Sequence, residues 1–336
     1  MTFRQFIGHE TVEPVQYGLT MQHSTATVPA KNQPFPGWLA TLWVHAREHS
    51  AAAIGLGLAL LGVLALLVQS LLQLAVGDVG PGMRYAMLGG AAGLAATALG
   101  ALPALALRSI PQKLEDTLLG FAAGMMLAAS AFSLLLPGLQ AGADILGNKP
   151  LGAAVVVLGM ALGVLLMLGL DQFTPHKHDQ TGPCGPAPDH CGRVWLFVFA
   201  IALHNLPEGM AIGVSFSQGD MSVGLPLATA IALQDIPEGL AVALALRSAG
   251  LTPRLAVWVA AASGLLEPLG ALLGVGLSSG FALAYPTGLG LAAGAMLFVV
   301  SHEVIPQTHR NGHQTPATIG LMIGFALMMV LDTALG

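Results

Sequence analysis

Charged residues are scarce in this chain: Asp, Glu, Lys and Arg make up only 9% of its 336 residues, against about 25% in soluble proteins. With 12 basic residues and a net charge of -5, it has no basic surface that could bind nucleic acid. Only two cysteines are present, Cys184 and Cys191, which excludes a small disulfide-stabilised scaffold. No Gly-Lys-Ser/Thr triplet occurs, so the chain contains no P-loop for ATP.

Apolar residues are abundant instead. They make up 54% of the chain, and the mean hydropathy is +0.74. Segments of about 20 apolar residues, long enough to cross a bilayer as helices, recur along most of the sequence, and their Leu, Ala and Gly favour helices over the short alternating strands of a barrel. We therefore predict an all-α polytopic membrane protein with nine spans: 52–76, 84–107, 115–137, 151–171, 194–216, 222–246, 254–279, 284–306 and 316–335.

The distribution of basic residues predicts the orientation, because cytoplasmic loops are enriched in Lys and Arg. Nine spans would place ten basic residues on one side and only Arg84 and Lys149 on the other. We expect a multi-pass protein of the cell (inner) membrane with a cytoplasmic N-terminus and an external, periplasmic C-terminus. Residues 1–50 are predicted to be a mostly unstructured polar tail and 52–76 an extra span. If 52–76 does not span, only the tail changes sides. The ten residues are Arg4, Lys31, Arg47, Arg108, Lys113, Lys177, Arg193, Arg247, Arg254 and Arg310.

Two apolar spans contain versions of one polar motif, HNLPEG at 204–209 and QDIPEG at 234–239. The seventh span adds Glu267-Pro268, and the eighth adds His302-Glu303 before Pro306. Residues three or four apart share a helix face, so the polar residues of each motif should point the same way. Each proline removes a backbone hydrogen bond, and such interruptions within a membrane are tolerated only where they line a cavity or are enclosed by protein.

Charge balance indicates what these motifs hold. Glu208, Asp235, Glu238 and Glu267 are four acids in apolar spans without a basic partner, and an uncompensated charge at that depth costs several kcal/mol or more. Two divalent cations would neutralise four carboxylates, and bridging carboxylates would let the ions lie close together. Imidazole with carboxylate suits zinc and related metals. Met126 could add a soft sulfur, although one of 14 methionines in an apolar chain more often fills the core. The alternative is a structural seam between helices, although such seams usually use Ser, Thr or Asn.

The HNLPEG, QDIPEG and Glu267-Pro268 segments resemble the ZIP (Zrt-, Irt-like protein) family of divalent metal transporters, specifically its bacterial GufA-like branch. The resemblance extends from about residue 84 to the end, and it implies an eight-helix core at 84–336 with inverted repeats and an elevator-like motion. It also implies two metal ions per chain, Zn²⁺ or Cd²⁺ and, less favoured, Fe²⁺ or Mn²⁺, as transported substrate rather than prosthetic group. The implied ligands of the first metal are Met126, His204, Glu208, Gln234, Asp235 and Glu238; those of the second are Asn205, Glu208, Asp235, Glu238 and Glu267.

Two further metal positions are expected on the cytoplasmic side. His302 and Glu303 lie in the inner half of the eighth span and should contact metal leaving the central site. The resemblance implies a cytoplasmic metal-binding loop, here 172–193 with His176, His178 and His190. Its Pro and Gly content predicts weak binding or a plain solvated connector. Asp171 and Asp332 lie near span ends, where we expect interfacial positions.

Two other functions would use similar residues. An intramembrane zinc protease would need an H-E-x-x-H helix, whereas this chain has His-x-x-x-Glu, so we do not expect an enzyme. A passive metal channel remains an alternative to a carrier, although proline-interrupted helices with ligands near the midplane are typical of carriers. The expected partners are divalent metal ions and the lipid bilayer, with a homodimer left open and no nucleic acid.

Overall fold

The computed structural model describes residues 38–77, 79–173, 176–178, 182–184 and 193–336, with side chains omitted at 38–41, 176–178, 182–184 and 193–203. The described residues form one compact unit. The helices are α1 (Trp38–Glu48), α2 (Ser50–Val76), α3 (Pro81–Ala101), α4 (Gln112–Ala129), α5 (Leu136–Leu146), α6 (Lys149–Phe173), α7 (Arg193–Phe216), α8 (Met221–Ser248), α9 (Pro253–Ser263), α10 (Leu266–Leu277), α11 (Ala284–Val299), α12 (Ile305–Thr308) and α13 (Gln314–Leu335).

The described helices confirm an all-α polytopic membrane protein. Eight continuous helical segments in the described part of the chain are long and apolar enough to cross a bilayer. Helix α7 occupies the position of the remaining predicted span, 194–216. Between α6 and α7, two three-residue strands, β1 (His176–His178) and β2 (Gly182–Cys184), pair antiparallel.

Two predicted spans differ from the structure in detail. The segment predicted at 115–137 extends over Gln112–Leu146, because a π-helical turn at Ser130–Leu135 joins α4 to α5 without ending the helix. The segment predicted at 254–279 is divided into α9 and α10 around Gly264 and Leu265, directly before the pair Glu267-Pro268. The second π-helical turn, Val300–Val304, joins α11 to α12. In both spans that contain a π-helical turn, the helix after the turn has proline as its second residue, Pro137 in one and Pro306 in the other. Both spans therefore accommodate a proline in the same way, directly after a π-helical turn.

Glycines spaced four residues apart hold three helix pairs together. Each pair has a Gly-x-x-x-Gly segment on both helices, and a Cβ on any of these glycines would collide with the backbone of the facing helix. Small residues permit this close approach in membranes, where the hydrophobic effect does not drive helices together. The pairs are α4–α13 (Gly120, Gly124; Gly320, Gly324), α6–α11 (Gly159, Gly163; Gly290, Gly294) and α7–α10 (Gly209, Gly213; Gly270, Gly274).

The N-terminal segment contains more structure than the sequence predicts. Trp38–Glu48 is helical, so the expectation of a mostly unstructured tail to residue 50 is wrong for these residues, while 1–37 lie outside the described residues. Helix α2 lies against two parts of the bundle. Its Ser70 hydroxyl donates to the carbonyl of Leu272 on α10 over 3.0 Å, and a Cβ on Gly169 of α6 would contact its Leu56 side chain.

Candidate metal centre

Three carboxylates predicted to share a site come together where α7 packs against α8. One donor oxygen from each of Glu208, Asp235 and Glu238 lies within 4.8 Å of the other two. Asp235 and Glu238 are three residues apart on α8 and therefore share a face, while Glu208 approaches from α7. Glu208 and Asp235 are only 1% and 2% exposed and Glu238 is half-buried, so at least the first two acids lie where most water is excluded.

Glu267 brings a fourth carboxylate to the same space from α10. It is fully buried, and its Oε1 accepts a 2.9 Å hydrogen bond from the Thr97 hydroxyl on α3. A Cβ on Gly93 would lie 2.7 Å from Glu267 Cδ and 3.0 Å from Asp235 Oδ2. Because Gly93 has no side chain, there is room beside it for these two carboxylates to face each other.

The glycines that end the two motifs explain why the four helices converge. A Cβ on Gly209 of HNLPEG would overlap the backbone of Glu267, and one on Gly239 of QDIPEG would overlap the backbone of Thr97. The first glycine thus lets α10 approach α7, and the second lets α3 approach α8. Because Thr97 also donates to Glu267, α7, α10, α3 and α8 form a closed ring of contacts around the acids.

Amide side chains complete the polar interior. Gln234 is fully buried and donates from Nε2 to Glu208 Oε1 over 2.5 Å. Asn205 is 7% exposed and donates to the Ser263 hydroxyl over 3.4 Å, and that hydroxyl donates onward to the carbonyl of Ala260. Thr97 and Ser263 were not among the residues predicted from the sequence. The available signal was a hydroxyl residue within an apolar, small-residue span.

Each of these acids has an oxygen without a hydrogen-bond partner among the described residues. These buried atoms are Glu208 Oε2, Asp235 Oδ2, Glu238 Oε1 and Glu267 Oε2, and Gln234 Oε1 is in the same situation. A buried acceptor without a donor costs about 1–3 kcal/mol, and more when it is charged. In the described part of the chain, neither Lys nor Arg forms an ion pair with them. Five such oxygen atoms on converging side chains suit metal cations, which can satisfy acceptors that have no hydrogen-bond donor.

Two further predicted ligands lie on α7 and α4. His204 is half-buried and lies one helical turn before Glu208 on α7. Met126 is fully buried on α4, a helix that packs against α8, and its carbonyl accepts from the Ser130 hydroxyl at the start of the first π-helical turn. Their roles as metal ligands stay predictions.

Comparison with known proteins agrees with the motifs. A sequence profile described as "ZIP Zinc transporter" matches residues 176–332. The chain is 66% identical over 291 residues to "Zinc transporter ZIPB" of Bordetella bronchiseptica, which covers 87% of this chain and 94% of that protein. It is 41% identical over 262 residues to "Zinc transporter GufA" of Myxococcus xanthus, with 77% and 100% covered, and 30% identical over 326 residues to "Zinc transporter ZIP11" of Homo sapiens, with 71% and 94% covered.

The chain belongs to the ZIP zinc transporter family. The similarity to GufA confirms the bacterial GufA-like branch that the motifs indicated. ZIP proteins are transporters rather than enzymes, which argues against the intramembrane protease alternative. The profile match includes every predicted central ligand except Met126.

A second cluster of donors lies in this ZIP protein at the predicted exit. Donor atoms of Asp171, His302 and Glu303 lie within 4.8 Å of one another, and His302 Nε2 is 3.7 Å from Asp171 Oδ2. The His302 ring also stacks on Phe298, with ring centroids 4.9 Å apart. Asp171 is only 4% exposed, and the expectation that it lies at the membrane interface stays a prediction. It lies on α6, and only tertiary contact brings it to the π-helical turn of His302 and Glu303.

The remaining predicted positions are less fully described. The backbones of His176 and His178 belong to β1, with His176 opposite Cys184. Their side chains, and His190 altogether, lie outside the described residues. Asp332 is half-buried, and its Oδ1 accepts from the Ser133 hydroxyl over 2.7 Å.

Proposed function

We propose that this ZIP-family protein moves Zn²⁺ into the cytoplasm across the cell's inner membrane through a paired intramembrane metal site. The observation that carries the proposal is the set of four carboxylates on α7, α8 and α10, each with a buried oxygen that has no hydrogen-bond partner, and none paired with Lys or Arg among the described residues. The relatives at 66% and 41% identity are named zinc transporters. Cd²⁺ is expected to be a second substrate, followed by Fe²⁺ and Mn²⁺.

Two ions per chain follow from charge. Four ionised carboxylates carry four negative charges, and two divalent ions cancel them without any basic residue. One donor oxygen from each of Glu208, Asp235 and Glu238 lies within 4.8 Å of the other two, and we expect these acids to bridge both ions. His204, Gln234 and Met126 would complete the first position, while Asn205 and Glu267 would complete the second. A histidine and a thioether at the first position favour zinc or cadmium over hard cations.

The proposed transport step is an elevator-type movement of one set of helices against another. The ring of α3, α7, α8 and α10 carries all four carboxylates and is joined by glycine contacts that leave little room to slide within it. The α4–α13 and α6–α11 pairs are joined in the same way outside that ring. The glycine face of α3 (Gly89, Gly90, Gly93 and Gly100) packs on α7, α8 and α10 and so belongs to the ring.

This division has a chemical consequence. Met126 lies on α4 and the four carboxylates lie on the ring. A shift of the ring past α4 would therefore separate the metal from a sulfur ligand while leaving its oxygen ligands in place. A carrier of this kind should saturate with zinc and accelerate when zinc is present on the opposite side. A passive channel would do neither.

The cytoplasmic half is proposed to release and sense metal. In the orientation favoured by the basic residues, the cluster of Asp171, His302 and Glu303 would bind ions that leave the central site for the cytoplasm. The 172–193 loop is proposed to bind zinc weakly through His176, His178 and His190 and to reduce uptake when internal zinc is high. Replacing these three histidines with Gln should preserve basal uptake and remove that inhibition; complete loss of uptake would place the loop in the transport route instead. By the same proposal, 84–336 forms the eight-helix transporter and 52–76 an additional span.

Metal uptake into proteoliposomes tests the proposed function. The wild-type protein should take up ⁶⁵Zn²⁺ saturably, with competition by Cd²⁺, and an imposed pH gradient would reveal any proton coupling. His204→Ala combined with Asp235→Ala should abolish uptake. Asp144→Asn is the matched control, because Asp144 is an exposed acid on α5 outside the site. Near-normal flux through the double variant at equal membrane level would overturn the proposed site.

A further inference from the structure

A third group of metal-type donors lies where α1 meets α2, on helices that contribute no side chain to the central site. His45, Glu48 and His49 each offer one donor atom, and these three atoms lie within 4.8 Å of one another. His45 is half-buried, whereas Glu48 and His49 are exposed. The group directly precedes the candidate span Ser50–Val76, so we expect ions to reach it from water without passing through the membrane.

The backbone holds the two histidines one helical turn apart. The N–H of His49 donates to the carbonyl of His45 over 3.0 Å, and the N–H of Ala53 donates to the carbonyl of His49 over 2.9 Å. The turn thus continues from α1 into α2, although His49 itself departs from helical geometry, with φ -115° and ψ 49°. The two imidazole rings face each other at a centroid distance of 4.7 Å and a tilt of 53°.

Spacing and chemistry both suit a borderline metal ion. Two histidines at positions i and i+4 of a helix form the zinc-binding pair of H-E-x-x-H proteins, and here Glu48 at i+3 adds a carboxylate on the same side. Ligands of a tetrahedral zinc ion lie roughly 3.4 Å apart, given metal–ligand distances of about 2.0–2.2 Å. Small rotations of exposed side chains can close the remaining distance. The neighbouring Arg47 lies two residues from each histidine and so does not share their face.

We propose that His45, Glu48 and His49 form a separate zinc-binding site, open to solvent, with water completing the coordination. Two imidazoles and one carboxylate leave a net charge of +1 on bound Zn²⁺, which an exposed site accommodates readily. The donor set excludes Ca²⁺ and Mg²⁺, which prefer oxygen ligands. This site goes beyond the proposed transport function and does not depend on it.

Its position gives the bound ion a structural effect. The His45 ring makes an edge-to-face contact with Phe173, the last residue of α6, at a centroid distance of 5.3 Å. Zinc on His45 and His49 would fix the junction of α1 and α2 and, through that ring contact, hold it against the end of α6. The segment that follows Phe173 carries His176 and His178, so this site lies beside the start of the predicted regulatory loop.

Equilibrium dialysis of the purified full-length protein in detergent against Zn²⁺, followed by elemental analysis, tests the site. His45→Gln combined with His49→Gln should bind one zinc ion fewer per chain than the wild type. Arg47→Gln is the matched control on the same helix and should bind as many ions as the wild type. Glu48→Gln should keep the number of ions at saturation and shift half-saturation to higher zinc.

Two further measurements separate this site from other outcomes. His49→Gln alone, with a gel-filtration profile identical to that of the wild type, should also lose the ion, which excludes misfolding of the double variant as the cause. ⁶⁵Zn²⁺ uptake by the double variant should match the wild type at low zinc. Uptake reports on the central site and the number of bound ions on the His45, Glu48 and His49 site, so a failure of one proposal is distinguished from a failure of the other. An unchanged number of bound ions in the folded double variant would overturn the proposal.

Discussion

Gln234 on α8 donates a 2.5 Å hydrogen bond from Nε2 to Oε1 of Glu208 on α7, between two side chains that are almost wholly buried. The bond occupies one oxygen of Glu208, and among the described residues the other, Oε2, has no partner, nor has Oε1 of Gln234. An amide in this position therefore orients the carboxylate while keeping two oxygen atoms available for a cation. It also adds no charge to a site that already contains four acids.

Removing this amide should weaken metal binding. In Gln234→Ala, Glu208 loses its only described donor, and a hydrogen bond to a charged group contributes about 1.5–3 kcal/mol. We expect the zinc concentration for half-maximal uptake to rise about tenfold or more, while the maximal rate falls less. Titration of uptake against external zinc checks this. An unchanged half-saturation in a correctly inserted variant would show that Gln234 does not position Glu208.

Glu267 should serve the second metal position alone. In Glu267→Gln the fourth negative charge is lost, so we expect bound zinc at the central site to fall from two ions toward one, with slower but measurable uptake. Thr97→Val is the companion variant, because it removes the 2.9 Å hydrogen bond to Oε1 and keeps the carboxylate. It should retain both ions with weaker binding of the second. Full retention of both ions in Glu267→Gln, by elemental analysis, would rule out the assignment.

Gly93 should be intolerant of even a single methyl group. A Cβ there would overlap the carboxylate of Glu267 and come within 3.0 Å of Asp235 Oδ2, so Gly93→Ala should displace both acids and strongly reduce uptake. Gly62→Ala is the matched control, since a Cβ at Gly62 on α2 would have nothing within 4 Å. Equal uptake by the two variants at equal membrane levels would show that the space beside Gly93 is not needed.

The Asp171, His302 and Glu303 cluster should control release rather than capture. Replacing His302 and Glu303 with Ala, or Asp171 with Asn, removes donors on the proposed cytoplasmic side and leaves the central carboxylates untouched. We expect the maximal uptake rate to fall with little change in external half-saturation. The Asp144→Asn protein is again the reference. A large rise in external half-saturation at an unchanged maximal rate would place this cluster on the outer side instead.

Much of the central site could be predicted from sequence because its residues are local in the chain. Asp235 and Glu238 share a face by helical spacing alone, and an acid in an apolar span without a basic partner already implies a cation. The spans were equally accessible, since the length and composition of a membrane helix follow from bilayer thickness. The exact helix boundaries were harder to predict from the sequence. Neither the helix at Trp38–Glu48 nor the π-helical turns are marked by a clear periodic pattern of residues.

The sequence by itself determined that this is a helical membrane protein of the ZIP family with four intramembrane carboxylates, because composition, span length and motif spacing are properties of the chain. Only the tertiary structure decided which helices pack together and so bring those acids into one site. The contact of Thr97 with Glu267 joins residues 170 positions apart, and Asp171 meets His302 from a different span. Glycines such as Gly209 and Gly239 look interchangeable in a Gly-rich sequence. Their role emerges from the backbone that each one faces, because close packing depends on what lies opposite and the chain alone does not record it.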